Sequence, residues 1–88
     1  MIRWGILSTG HISGRFAEAL NLLPDAELGA VASRQEDTAL KFAKKYGVRR
    51  AHGSYQALAD DPEIDVIYIG TPHYLHLENS IMCMRAGK

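Results

Sequence analysis

Three short stretches carry residue types that could do chemistry. The first is GILSTGHISG, Gly5 to Gly14. It falls close to the G-x-G-x-x-G/A pattern in which a strand–turn–helix cradles a pyrophosphate. Aligned on Gly10, the three fixed positions are Ser8, Gly10 and Ser13. The first glycine of that pattern permits a tight turn, so Ser8 is expected to serve only with a negative φ. The second lets backbone approach phosphate, and Gly10 is where a side chain should block it. The third allows close helix–strand packing, for which serine is nearly small enough. Free N–H groups of Thr9 through Ser13, at the positive end of a helix, would face the phosphates, and the hydroxyls of Ser8, Thr9 and Ser13 could add hydrogen bonds. Spacing alone leaves two readings open: a dinucleotide loop, or an ordinary strand–helix turn.

The second stretch is VASR, Val31 to Arg34. An NAD site commonly places Asp or Glu at this strand end to hold the ribose hydroxyls. Here Ser33 and Arg34 offer a hydroxyl and a guanidinium, which suit a 2′-phosphate and hence NADP rather than NAD. The alternative is a solvated arginine in a helix-initiating loop, although a cation there opposes the helix dipole. The third stretch is GTPHYLHLE, Gly70 to Glu78. His73 and His76 are three apart, but no third ligand is spaced for a metal, so none is expected. A histidine acid/base is open, as is a capping role. His11 follows Gly10 and would border a cofactor; Tyr55 and Tyr74 read as packing residues, and His52 has no assigned role.

The elements that must position these stretches alternate. Ile2 to Leu7 reads as a buried strand. Ile12, Phe16, Leu20 and Leu23 read as one helical stripe ended by Pro24-Asp25. Leu28 to Ala32 is a second strand. Glu36 to Tyr46 is a helix with a stripe of Ala39, Phe42, Ala43 and Tyr46, and Gly47 stands at its C-cap. A weak strand at Arg50 to His52 precedes a short helix capped by Ser54. Asp65 to Ile69 is the clearest buried strand. A final helix runs to about Arg85 with Leu77, Ile81 and Met84 on one stripe. Four strand–helix alternations predict an α/β fold, a Rossmann-like doubly wound parallel sheet. That sheet is incomplete at about four βα units, its remaining strands absent, so residues 1–88 are expected to be the N-terminal part of a longer dinucleotide-binding domain, or to cover the open edge with a partner. The Asp65–Ile69 strand would then lie at an edge, an aggregation hazard unless covered.

Bulk properties narrow the function classes. Lys+Arg and Asp+Glu both number 10, so no basic excess argues for nucleic acid. No apolar run approaches a membrane span and no signal-peptide pattern opens the chain. The single cysteine, Cys83, reads as a small buried hydrophobe and suits a reducing compartment; a cytoplasmic location is the default.

Taken in order, RWGILSTGHIS, VASR, GSYQAL, YIGTPHYLH and the closing AGK resemble the N-terminal half of the Rossmann domain of the Gfo/Idh/MocA oxidoreductases. The resemblance covers essentially all 88 residues. The serines at 8 and 13 depart from the common family pattern and resemble the NADP-linked branch that contains the dimeric dihydrodiol dehydrogenases. What the resemblance implies is an NAD(P)-dependent oxidoreductase acting on CH–OH groups of a sugar, polyol or diol, with a second domain that carries substrate and oligomer contacts. By position, Ser8, Thr9, Gly10, His11 and Ile12 would form the pyrophosphate loop. Ser33 and Arg34 would hold the adenosine ribose and its phosphate, and Thr71, Pro72 and His76 match the family's T-P-x-x-x-H segment beside the nicotinamide. The family's catalytic lysine lies in a Glu-Lys-Pro motif past the position of Lys88, so no catalytic residue is assigned and the 88 residues alone are expected to be inactive. A non-catalytic dinucleotide-binding module and a truncated inactive product remain the alternatives.

Overall fold

The computed structural model describes residues 2–71 and 75–88. Pro72, His73 and Tyr74 lie outside the described residues. The elements run β1 (Ile2–Leu7), α1 (His11–Leu20), β2 (Ala26–Ala32), α2 (Glu36–Tyr46), β3 (Arg50–His52), α3 (Tyr55–Ala59), β4 (Val66–Ile69) and α4 (His76–Arg85). The four strands form one parallel sheet in the order β3-β2-β1-β4. That is the half-sheet order of a Rossmann fold.

Side chains alternate across each strand, and both faces are covered. Ile6, Leu28 and Val31 pack with Ala17, Leu20, Phe42 and Ala43 in the layer of α1 and α2. Leu7, Ala30 and Ala32 pack with Leu58 and Ile64 in the layer of α3 and α4. A register shift makes this division possible. Trp4 pairs with Leu28 but Gly5 with Ala30, so Gly29 is skipped and Leu28 and Val31 reach the same layer. Trp4 meets Phe16 edge-on at 5.5 Å, and Phe16 stacks on Tyr68 at 3.9 Å, sealing α1 against the sheet.

Helix α2 has the bounds its sequence predicts. Glu36 and Asp37 lie in its first turn, Lys44 and Lys45 in its last, and Gly47 caps it at φ 69°. Ser54 Oγ accepts the Ala57 amide at 3.1 Å and starts α3 as expected.

Two helices differ from expectation. Helix α1 stops at Leu20, before Pro24, and its buried face is Ser13, Gly14, Ala17 and Leu20, while Ile12 is 57% and Leu23 55% exposed. Small residues face inward because α1 presses tightly on its neighbours: Gly14 lies directly under the Tyr46 hydroxyl, with no room for a Cβ. Helix α4 buries Asn79 and Cys83 and leaves Leu77, Ile81 and Met84 outward. Cys83 is a buried free thiol, as expected, and burial pushes its pKa up, against a smaller opposing pull from Lys88. Strand β4 lies at the sheet's edge, paired with β1. No helix among the described residues is long and apolar enough to cross a membrane.

Candidate functional site

A parallel sheet gathers the carboxyl ends of its strands on one rim, and a topological switch leaves a crevice there. Three turns meet on this rim: Ser8–Gly10 after β1, Ser33–Gln35 after β2 and Gly70–Thr71 after β4. The first two share a cleft of about 620 Å³ lined by Ser8, Thr9, Ser33, Arg34, Gln35, Thr38 and Tyr55.

The β1–α1 turn has the fingerprint's geometry without its first glycine. Ser8 sits at φ 105°, which corrects the expectation of a negative φ. Its amide extends the β1–β2 ladder to the Ala32 carbonyl at 2.8 Å, and its hydroxyl accepts the Gly10 amide at 3.4 Å. The ladder and the short turn together over-determine a backbone shape that serine disfavours. Gly10 is the reverse case. Its φ is −71°, open to any residue, and a Cβ there would meet only Ser8 Oγ at 3.9 Å. No protein atom requires glycine at this position, and the space beside it is open.

Gly10 is the N-cap of α1 and supplies no side-chain cap, and the Gly14 amide makes the first helical bond, to the Gly10 carbonyl at 3.1 Å. The amides of His11, Ile12 and Ser13 are therefore without helical partners, at the positive end of the dipole. A pyrophosphate would satisfy such donors, and the residues fit it. Thr9, Gly10 and His11 also border a smaller cleft of about 290 Å³ toward Thr38, Lys41 and Lys45, with no carboxylate in its lining.

Ser33 and Arg34 differ in commitment. Ser33 is buried; its amide donates to the His52 carbonyl at 3.1 Å and its hydroxyl accepts the Gln35 amide at 3.3 Å, which leaves the hydroxyl proton to donate. Arg34 is exposed and has no acidic partner among the described residues, whereas Arg3, Arg49 and Arg50 are each paired with a carboxylate. A guanidinium at the cleft with no protein counter-ion suits a phosphate.

The remaining sequence candidates are placed less directly. Ile12 is exposed on α1 and lines neither of these clefts. Ser13 is fully buried, its Oγ lies without a hydrogen-bond partner against Gly70, and it turns away from the cleft, contrary to its expected contact with phosphate. Thr71 is buried and donates to Asn79 Oδ1 at 2.6 Å, so its hydroxyl ties the β4–α4 turn to α4. His76 opens α4 on the exposed side. Pro72 falls outside the described residues. Sequence reasoning missed Gln35, the N-cap of α2, and Thr38 in its first turn, which both line the cleft. Their signal was position, directly after Arg34 and one turn past it. Tyr55 does both things: it packs on the α3–α4 layer and walls the cleft.

Comparison with known proteins agrees with this geometry. Residues 2–88 match the model of the oxidoreductase family with NAD-binding Rossmann fold, Gfo/Idh/MocA. The chain is 47% identical over 88 residues to trans-1,2-dihydrobenzene-1,2-diol dehydrogenase of Xenopus laevis, covering 98% of this chain and 27% of that one. The crystal structure of the 3-ketoreductase KijD10 of Actinomadura kijaniata with NADP and TDP-benzene superposes with a TM-score of 0.91 at 35% identity, covering 99% of this chain and 27% of that one. An NAD-binding oxidoreductase of Klebsiella pneumoniae superposes with a TM-score of 0.92 at 28% identity, covering 99% and 25%. The 88 residues thus span about a quarter of the length of these relatives.

Proposed function

The chain belongs to the Gfo/Idh/MocA family of oxidoreductases, and from that premise we propose that residues 1–88 form the cofactor-binding segment of an NADP-dependent enzyme acting on a CH–OH group of a sugar, polyol or diol. The observation that carries this reading is the shared cleft. It brings Ser8 and Thr9, which lead into the unpartnered N-terminus of α1, together with the uncompensated guanidinium of Arg34. The two features suit the pyrophosphate and the 2′-phosphate of one molecule.

The roles of the residues follow from their commitments. Thr9, Gly10, His11 and Ile12 hold the pyrophosphate through backbone amides. Ser8 shapes the turn. Ser33 donates its hydroxyl to the ribose, and Arg34 binds the 2′-phosphate in preference to a bare ribose. Tyr55 excludes water from the adenosine side. Thr71 ties the end of β4 to α4, and the family resemblance assigns Thr71, Pro72 and His76 to the nicotinamide side. When bound, the nicotinamide ring supplies the atom that accepts or returns a hydride. No residue among these 88 is assigned to proton transfer. The diol substrate of the amphibian relative supports the substrate class. The single cysteine suits a cytoplasmic setting, and the family resemblance suits a homo-oligomer.

The test is direct titration by calorimetry. NADP is expected to bind at least about 10-fold more tightly than NAD, and Arg34→Ala to remove most of that difference, since a charge-assisted hydrogen bond contributes about 1.5–3 kcal/mol. Equal losses for both dinucleotides in Arg34→Ala would remove the 2′-phosphate assignment. Binding of neither by the wild-type chain would remove the cofactor assignment.

A further inference from the structure

Asp61 belongs to no role described above, yet it is the most fully enclosed charged side chain for which an ion pair is seen, 2% exposed. It follows α3 and stands beneath β3. Every part of its carboxylate is engaged. Oδ1 accepts the Glu63 amide at 2.9 Å and Arg50 Nη1 at 3.2 Å; Oδ2 accepts Arg50 Nη1 at 3.3 Å and lies 3.0 Å from His52 Nε2. Arg50 also pairs with Glu63. Burial alone would raise the Asp61 pKa. The Glu63 amide, the His52 hydrogen bond and the Arg50 charge outweigh it and hold the carboxyl below its usual range.

Strand β3 has three residues and stands at the sheet's edge, so its ladder to β2 is a weak anchor. Arg50 and His52 are two apart and project to the same face, where both reach Asp61. The last residue of that strand matters to the cleft. The His52 carbonyl accepts the Ser33 amide at 3.1 Å, and Ser33 in turn orients Gln35. A continuous set of hydrogen bonds therefore runs from Asp61 through His52 to the Ser33 peptide.

We infer that Asp61 and His52 are positioning residues for the cofactor cleft: the buried carboxylate pins the end of β3, and the His52 carbonyl thereby fixes Ser33 against the adenosine half of the dinucleotide. The ligand part of this inference rests on the dinucleotide reading above. The pinning itself does not, because it is visible in the free protein.

The experiment uses the full chain with His52→Leu, His52→Gln and Asp61→Asn. Glutamine can place a donor near the position of Nε2, so His52→Gln keeps the bond to Asp61, and leucine removes it. In ligand-free protein, amide hydrogen exchange at Ser33 is expected to quicken about 10-fold in His52→Leu while the β1 amides of Ile6 and Leu7 keep their protection. Affinity for adenosine 2′,5′-bisphosphate is expected to fall about 5-fold, and affinity for inorganic pyrophosphate, which reaches only the β1–α1 turn, to stay within about 2-fold. His52→Gln is expected to restore both. Asp61→Asn is expected to follow His52→Leu with a larger loss of stability; if it does not fold, the two His52 variants decide.

Unchanged Ser33 exchange in His52→Leu overturns the inference. So does exchange that quickens at Ser33 and in β1 alike, or a His52→Gln variant that behaves as His52→Leu. Quickened Ser33 exchange with unaltered bisphosphate affinity overturns the ligand part. Failure of the wild-type chain to bind either phosphate probe overturns the cofactor reading and the ligand part together, and Ser33 exchange still decides the pinning.

Discussion

The turns after β1 and after β4 lie on the same rim and each leads into a helix of 10 residues, but they treat their polar groups in opposite ways. The described start of the β4 turn is tied to the helix that follows it. Thr71 is buried and gives its hydroxyl to the buried Asn79. The β1 turn is open. Gly10 brings no capping side chain, and three helix amides are without internal partners. Satisfied groups position and unsatisfied groups bind: a buried polar group with its partner in place adds rigidity, whereas a rim donor without one is available to a ligand. The glycines divide likewise. Gly14 is required by Tyr46 and Gly70 by Ser13, whereas no protein atom crowds Gly10.

The largest effect expected from this contrast is at Gly10. On the proposed reading, valine there should reduce NADP affinity at least about 100-fold, because a branched side chain would crowd the phosphates, while stability falls by no more than about 1 kcal/mol, the cost of a poorer N-cap. Gly14→Ala should do the opposite, lowering stability by about 1–3 kcal/mol through collision with Tyr46 and leaving affinity within about 2-fold. Calorimetry and thermal unfolding on both variants test the pair. Stability loss at Gly10 equal to that at Gly14 would mean that the open turn is structural after all.

The same division explains what could be read from the chain. The positions of the β strands, the bounds of α2, Gly47 and Ser54 were legible because local chemistry decides them: apolar runs, charge placement and caps act within a few residues; the burial expected of β4 was not, because that strand stands at the sheet's edge and none of Val66–Ile69 is fully buried. The inward faces of α1 and α4 were not. Apolar size marks a buried stripe when a helix packs at ordinary distance, but α1 is drawn so close that Ser13, Gly14 and Ala17 face inward and Ile12 faces out. On α4 the buried polar residue, Asn79, is explained only by Thr71, eight residues away. Ser8 shows the limit from the other side. Its residue type argued for negative φ, and the ladder bond to Ala32 overrode it. The rim of the cleft was legible at Ser8–Thr9 and Ser33–Arg34, since both lie at strand ends, whereas Asp61 was not, because its partners on β3 are found only in three dimensions.

Next in size is an attack on the tie after β4. Thr71→Val keeps the shape and removes the donor, leaving Asn79 Oδ1 buried without a partner, at a cost of about 1–3 kcal/mol. Affinity for NADP should fall by less than about 3-fold, since no bond to the ligand is lost directly. A loss of affinity as large as in Gly10→Val, with stability intact, would make Thr71 a ligand-binding group and erase the contrast between the turns. Asp61 supplies the comparable test in pH. Its depressed pKa stabilises the fold at pH values above the ordinary range for Asp, about 4, and that contribution is lost as pH falls through the lower folded value. Asp61→Asn should therefore be less stable than wild type at pH 7, and the gap should narrow below about pH 4. A gap constant down to pH 2 would remove Asp61 from the acid response.

The smallest expected effect sharpens the comparison most, because it separates the shape of the open turn from its chemistry. Ser8 holds φ 105° with a hydroxyl bond to Gly10 of 3.4 Å, at the long end of the range. Glycine adopts that φ without strain. A non-glycine residue there carries about 1–3 kcal/mol of strain, and glycine's greater freedom in the unfolded chain offsets about 0.5–1 kcal/mol of the relief. Ser8→Gly should thus raise stability by about 1 kcal/mol. It should leave NADP affinity within about 2-fold, because the proposed function gives the phosphates to the amides of His11 and Ile12 and not to the Ser8 hydroxyl. Thermal unfolding and calorimetry on this one variant are sufficient. Higher stability with weaker binding would mean that the hydroxyl itself touches the ligand and that serine is kept there, against its backbone preference, for that contact.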